Sequence, residues 1–179
     1  MKEKGNKGFW DRWAKRYDFM MSKDSRTYAQ IVNLMKRKLD REMTVLELAC
    51  GTGLLSVRLA GSVKVQDATN LPYAPGAFDA VVISNALHIM PEPEKALAEI
   101  RRVLKPGGLL IAPTFTAAGS LSGRLRIRLM ELSGFKVFHK WTQEEYLDFL
   151  KANGFETACR KTFDGGLKLT YTEARVKPY

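Results

Sequence analysis

The chain reads as an α/β protein: a mostly parallel sheet with helices on both faces, closed by a C-terminal antiparallel hairpin. Three observations lead there. Val45-Leu46-Glu47-Leu48 is a short apolar run of strand type, followed by a glycine-rich turn and then by Leu54, Leu55, Val57 and Leu59 at helical spacing. Ala80–Ser84 is a continuous apolar run, the pattern of a central parallel strand buried on both faces. Strand and helix patterns alternate along the chain, which is the order of a sheet built from crossovers.

The elements follow in order. Trp10, Trp13, Tyr17 and Met20 recur at helical spacing and predict an amphipathic first helix. Ser25 can cap a second helix through about Lys38, with Tyr28, Ile31, Val32, Leu34 and Met35 inward. The Val45–Leu48 strand comes next, then a helix to about Ala60 and a short strand over Val63–Gln66. Pro72, Pro75 and Gly76 mark a loop before the Ala80 strand. Pro93 opens a helix through Leu104 with Ala96, Leu97, Ile100 and Val103 on one face. Pro106-Gly107-Gly108 is a turn into a strand over Leu109–Ala112. The segment Ala117–Trp141 holds a basic helix around Ser122–Leu132. Thr142, with Glu145 completing a capping box, starts a helix that runs through Ala152 and ends at Asn153-Gly154. Phe155–Lys161 and Leu167–Val176, around Asp164-Gly165-Gly166, make the final hairpin.

Composition narrows the class. A chain of 179 residues, 45% hydrophobic and 27% charged, is long enough for one domain with a real core. No apolar run approaches the roughly 20 residues of a membrane span. Glu3, Asp11, Asp18 and Asp24 interrupt the basic N-terminus, which argues against a transit peptide. Cys50 and Cys159 make no disulfide framework and read as reduced thiols of a cytoplasmic protein. The net charge of +10 raises the question of nucleic acid. The cations are spread rather than clustered and accompany no recognisable binding module. A solvated basic surface is therefore favoured over a nucleic-acid partner, with an acidic or phosphorylated acceptor as the alternative. No metal site is expected.

The strand, glycine turn and helix start at Val45–Leu54 carry the chemistry. Gly51 and Gly53 let a ligand approach the backbone, and a helix N-terminus offers unpaired N–H groups there. Such a unit builds a nucleotide-type cofactor site. Beyond these residues, Glu47-Leu48-Ala49-Cys50-Gly51-Thr52-Gly53 resembles motif I of the class I S-adenosylmethionine (SAM) methyltransferases. Asp67–Tyr73 resembles the family's acidic loop beside the adenine, Phe78–His88 its motif IV, and Leu104–Leu110 the turn and strand after it. The resemblance runs from about Phe9 to the C-terminus and is closest to small-molecule enzymes related to ubiquinone and menaquinone biosynthesis. One departure stands out. The family places a second strand and helix, ending in a ribose-binding acid, before the Asp67 loop. Here Ala60-Gly61 leads straight into Ser62–Asp67, so the Rossmann-like sheet is shortened by about one βα unit.

The resemblance implies a division of labour. Residues 1–41 would form a helical lid, 42–116 the cofactor half, 117–141 a variable acceptor-side segment, and 142–179 the last helix and hairpin. Tyr17 and Trp13 would lie on the lid, where an aromatic face suits a sulfonium or simply packs. Glu47 would organise the methionine end of the cofactor, or else order the glycine loop through backbone N–H groups. Ala49 stands where the family often has its first glycine, and Cys50, Gly51, Thr52 and Gly53 follow along the cofactor. Cys50 reads as a small buried group rather than a nucleophile. Asp67 would take the adenine amino group with the Ala68 N–H facing the ring. By position it could instead hold ribose hydroxyls, if Val63–Gln66 fills the vacated slot; it could also merely start a turn. Ser84, Asn85 and Ala86 should face the cofactor. His88 could orient or deprotonate an acceptor, or cap and pack. The expected function is SAM-dependent methyl transfer to a small-molecule acceptor. A degenerate fold serving as an interaction module and an RNA methyltransferase are the alternatives.

Overall fold

The computed structural model describes residues 25–49, 67–116, 121–132, 135–164 and 168–177. Its helices are α1 (Ser25–Lys36), α2 (Pro93–Val103), α3 (Leu121–Leu132) and α4 (Gln143–Ala152). Its strands are β1 (Val45–Leu48), β2 (Phe78–Ile83), β3 (Leu104–Ile111), β4 (Thr114–Phe115), β5 (Phe155–Phe163) and β6 (Leu169–Val176). The expected first helix, the helix after Gly53 and the Val63–Gln66 strand lie outside the described residues.

The strands form one mixed sheet in the order β1-β2-β3-β6-β4, with β5 also paired to β6. β1, β2 and β3 run parallel, and the β5–β6 hairpin joins them antiparallel. β6 meets β3 through Glu173–Arg175 and β4 through Leu169 and Thr170. The expected turn at Pro106-Gly107-Gly108 lies inside β3 as an irregularity. Phe78 pairs with Leu104 and Ala80 with Leu109, so residues 105–108 bulge out of register opposite Asp79. Glycine is needed there: Gly107 has φ +72°, and a Cβ on Gly108 would lie 2.8 Å from the Lys105 carbonyl oxygen. Asp79 ties down this amino end of the sheet. It accepts from the Thr44 N–H at 2.9 Å and pairs with Lys105 Nζ at 2.7 Å.

Side-chain alternation divides the core into two layers. Leu48, Val81, Ile83 and Leu110 face one side, where they meet Ala96, Leu97, Ile100 and Val103 of α2 and Tyr146 and Leu150 of α4. Ala80, Val82, Leu109 and Ile111 face the other, against Ile31, Val32 and Met35 of α1. Helices therefore cover both faces, as the sequence predicts. The Thr142–Glu145 capping box forms with both bonds present, and the buried Tyr146 hydroxyl donates to the Ala112 carbonyl at 2.6 Å. That bond anchors α4 beside the end of β3. No helix among the described residues is long and apolar enough to cross a membrane.

One clamp fixes the loop that precedes β2. Glu99 and Arg102, one turn apart on α2, pair at 2.7 Å. Glu99 Oε2 accepts from the Leu71 N–H at 2.8 Å. The Arg102 guanidinium donates to the carbonyls of Tyr73 and Leu71 at 2.6 and 2.9 Å. The Arg102 carbonyl in turn accepts from the Gly76 N–H at 3.0 Å. The Arg102 guanidinium first, and then the Leu71 N–H, lower the Glu99 carboxyl from 4.5 to about 2. A lowered acid stabilises the fold above its unfolded pKa and loses that contribution as pH falls through the folded one. Glu99→Gln is therefore expected to cost about 1–2 kcal/mol at neutral pH. The gap to the parent should stay level down to pH 4.5 and close towards pH 2. Urea unfolding at several pH values checks this; a gap that does not change with pH contradicts it.

Candidate functional site

The site is built where β1 and β2 end. Their parallel register pairs Leu48 with Ile83, so the two chains leave the sheet at the same level. Both leave through a left-handed residue: Ala49 has φ 53° and Asn85 has φ 53°, the non-glycine residues with positive φ among those described. Asparagine tolerates this conformation, but alanine pays about 1–2 kcal/mol for it. Strain of this kind persists only where the surroundings enforce it, and it gathers at ligand sites. Ligands of open α/β sheets bind outside the carboxyl ends of the strands.

Asn85 is the most constrained of these residues. Its N–H donates to the Pro113 carbonyl at 2.8 Å, tying the β2 exit to the break between β3 and β4. Its side chain is 9% exposed. Nδ2 donates to the Tyr28 hydroxyl over a long 3.5 Å, and Oδ1 is buried without a hydrogen-bond partner. A buried orphan acceptor costs about 1–3 kcal/mol unless a donor is brought to it. A ligand carrying an N–H or O–H group supplies that donor, so the residues here fit a polar cofactor.

The other predicted residues that the structure describes are Glu47, Asp67, Ala68, Ser84, Ala86 and His88. Ser84 is half-buried and Ala86 buried; Ala86 precedes a short 3-10 turn, Leu87–Ile89, without a side-chain cap. Glu47 is half-buried and, by strand alternation, shares the α1 face with Val45. Asp67 is exposed and forms the turn that the sequence allowed for. Its Oδ1 accepts from the Thr69 N–H and hydroxyl, both at 2.8 Å, and its carbonyl accepts from the Asn70 N–H at 3.1 Å. The Thr69 N–H first, then its hydroxyl, hold the carboxyl below its ordinary range. Oδ2 lies outside these turn bonds. Ala68, next to it, is buried. Tyr17, Cys50, Gly51, Thr52 and Gly53 lie outside the described residues.

His88 connects the end of β2 to the segment 135–141. The residue is 6% exposed. Nδ1 shares a 3.0 Å hydrogen bond with the Thr114 hydroxyl, and the ring stands edge-on to Phe115 at 5.7 Å. Its carbonyl accepts from the Phe138 and His139 N–H groups at 3.1 and 3.0 Å. Burial, and then the nearby His139, push its pKa down to about 4. The imidazole is neutral at physiological pH and poorly suited to hold a proton.

Sequence reasoning missed several contributors. Tyr28 was legible only as an inward position of α1; its polar tip, which reaches Asn85, is a tertiary fact. Glu99 and Arg102 carried the i,i+3 signal of a helix ion pair, but not its attachment to the Leu71–Tyr73 backbone. A concavity of about 510 Å³ opens between α3 and the start of α4. Arg124, Arg128, Glu131, Lys140 and Glu145 line it, and it contains none of the predicted site residues. The two left-handed residues and one of the orphaned buried atoms, Asn85 Oδ1, lie at the strand ends instead, and the candidate site is placed there; His139 Nε2 and Thr172 Oγ1 are orphaned as well.

A family model described as a methyltransferase domain matches residues 57–112. A chloroplastic methyltransferase of Arabidopsis thaliana is 41% identical over 99 residues, covering 52% of this chain and 27% of the relative. The demethylmenaquinone methyltransferase of Paenarthrobacter aurescens is 38% identical over 111 residues, covering 48% and 43%. The chain spans well under half the length of these relatives. Among solved structures, a SAM-dependent methyltransferase of Thermotoga maritima superposes with a TM-score of 0.76 at 23% identity, covering 94% of this chain and 98% of that one. A Burkholderia thailandensis 1,6-didemethyltoxoflavin-N1-methyltransferase with bound S-adenosylhomocysteine (SAH) gives a TM-score of 0.64 at 17% identity, covering 92% and 88%. These two share the fold.

The left-handed Ala49 makes a direct prediction. Glycine there removes about 1–2 kcal/mol of backbone strain but adds about 0.5–1 kcal/mol of unfolded-state entropy. Ala49→Gly should therefore be neutral or stabilising by up to about 1 kcal/mol, and Ala49→Val destabilising. Chemical denaturation of both variants checks this; a glycine variant clearly weaker than the parent contradicts the geometry.

Proposed function

We propose that this chain, which belongs to the class I SAM-dependent methyltransferase family, transfers a methyl group to a small-molecule acceptor by direct displacement. The observation that carries the reading is the pair of left-handed exits at Ala49 and Asn85, with the orphaned Asn85 Oδ1 between strand ends. When bound, SAM supplies an electrophilic methyl group on a sulfonium that is already a good leaving group. The protein's task is then alignment and exclusion of water rather than strong acid–base chemistry.

The residues take the following roles in this reading. Gly51 and Gly53 let the cofactor approach the backbone, with Cys50 and Thr52 alongside. Glu47 organises its methionine end, and Asn85 Oδ1 accepts one of its donors. Ser84 and Ala86 line the same edge. Asp67, through Oδ2, and the Ala68 N–H meet the adenosine, on a loop that α2 holds in place. Tyr17, on the lid helix that the resemblance implies, would offer an aromatic face to the sulfonium. His88 orients the acceptor; a neutral, buried imidazole bonded to Thr114 suits positioning better than proton abstraction. Demethylmenaquinone is the first acceptor to test, because several relatives bear its name. The RNA and interaction-module readings find no support among those names.

Calorimetric titration with SAH tests the proposal. The parent should bind with a dissociation constant in the micromolar range, and Gly51→Val should abolish binding by filling the space a backbone approach needs. Asp67→Ala should weaken binding by roughly tenfold, about 1.4 kcal/mol, the scale of one charge-assisted bond at an exposed position. A folded parent that binds no SAH at high micromolar concentration contradicts the function and favours the degenerate fold.

A further inference from the structure

We propose that the outward face of α3 is a docking surface for an anionic lipid bilayer. Leu121, Leu125, Leu129 and Leu132 are 86%, 61%, 57% and 79% exposed. At about 100° per residue these four fall within an arc of about 80°. Ile127, buried at 8% exposure, points to the opposite side of the same helix. So α3 is anchored by its Ile127 face and turns a leucine stripe about 16 Å long towards solvent. Single exposed leucines are ordinary; a continuous stripe marks an interaction surface.

The surroundings of the stripe select its occupant. Phe138, in the segment after α3, is also exposed. The Lys140–Glu131 ion pair, at 2.7 Å, ties that segment to α3. Arg128 and Arg124, both exposed, follow the leucines along one edge by helical spacing, and they also line the cleft against α4 with Lys140, Glu131 and Glu145. Glu131 is the one acidic residue of α3, and Lys140 pairs with it. An apolar stripe with cations along one edge complements a bilayer whose headgroups are negative. Leucine enters the acyl boundary while arginine meets the phosphates. A second copy of the chain would oppose like charges across the contact, in a protein of net charge +10.

Co-sedimentation of the full chain with vesicles tests this. Vesicles of phosphatidylcholine with one quarter phosphatidylglycerol should retain the protein at about 0.1 M salt, and pure phosphatidylcholine should retain far less. The double substitution Leu125→Asp with Leu129→Asp should weaken retention at least about tenfold. Its circular dichroism should match the parent, because the altered side chains are exposed. The serine pair Leu125→Ser with Leu129→Ser repeats the test if the charged pair fails to fold. Arg124→Gln with Arg128→Gln should weaken retention and flatten its salt dependence. Equal retention of parent and leucine variants, or no retention on phosphatidylglycerol vesicles, overturns the proposal. So does a parent that ignores vesicles but sediments as an oligomer the leucine variants cannot form, which would assign the stripe to a second copy.

Discussion

The parallel register of β1 on β2 is the constraint from which the site follows. Val45 to Leu48 pair in step with Ala80 to Ile83. Ala49 follows β1 at the level of Ser84, Asn85 comes one residue later, and both Ala49 and Asn85 are left-handed. A slip of one residue would send every side chain of β1 to the opposite layer. Leu46 and Leu48 would lose α2 and α4, and Glu47 would enter the apolar layer they now fill. The hydrophobic pattern thus specifies the register, and the register specifies where the polar groups of the site emerge. The buried layers are what make two strained turns affordable.

Two secondary attachments complete the framework. On one side, Glu99 and Arg102 hold the backbone of Leu71 and Tyr73, so that the Asp67 turn and the buried Ala68 are carried by α2 rather than left to a free loop. On the other, His88 bonds Thr114 through its ring and the Phe138–His139 backbone through its carbonyl. The segment 135–141 is thereby fastened to the exit of the central strand. Within that segment His139 stacks on Trp141, and Trp141 on Phe149 of α4, with centroids 4.9 and 4.7 Å apart.

Much of this was legible in the sequence where the signal is local. The capping box at Thr142, the apolar face of α2 and the continuous run of β2 all follow from spacing, and each is present. The bulge inside β3 was read as a turn before a strand, because Pro106-Gly107-Gly108 has the same composition in either role. Asp67 was read between a ligand-binding acid and a turn former. The turn exists, since Thr69 follows at the spacing that closes it. What stayed hidden depends on contacts across the chain. Neither the Tyr28 hydroxyl beside Asn85, 57 positions away, nor the outward turn of the α3 leucines can be inferred from their own neighbourhoods.

The central claim is that the carboxyl ends of β1 and β2, and not the cleft between α3 and α4, receive the cofactor. Amide chemical shifts of the isotopically labelled protein, followed through a titration with SAH, test it most directly. The account predicts perturbations concentrated at Ala49, Ala68, Ser84, Asn85 and Ala86, the residues gathered at the strand ends. Perturbations confined to Arg124, Arg128, Glu131 and Glu145, which line the other cleft, would contradict it.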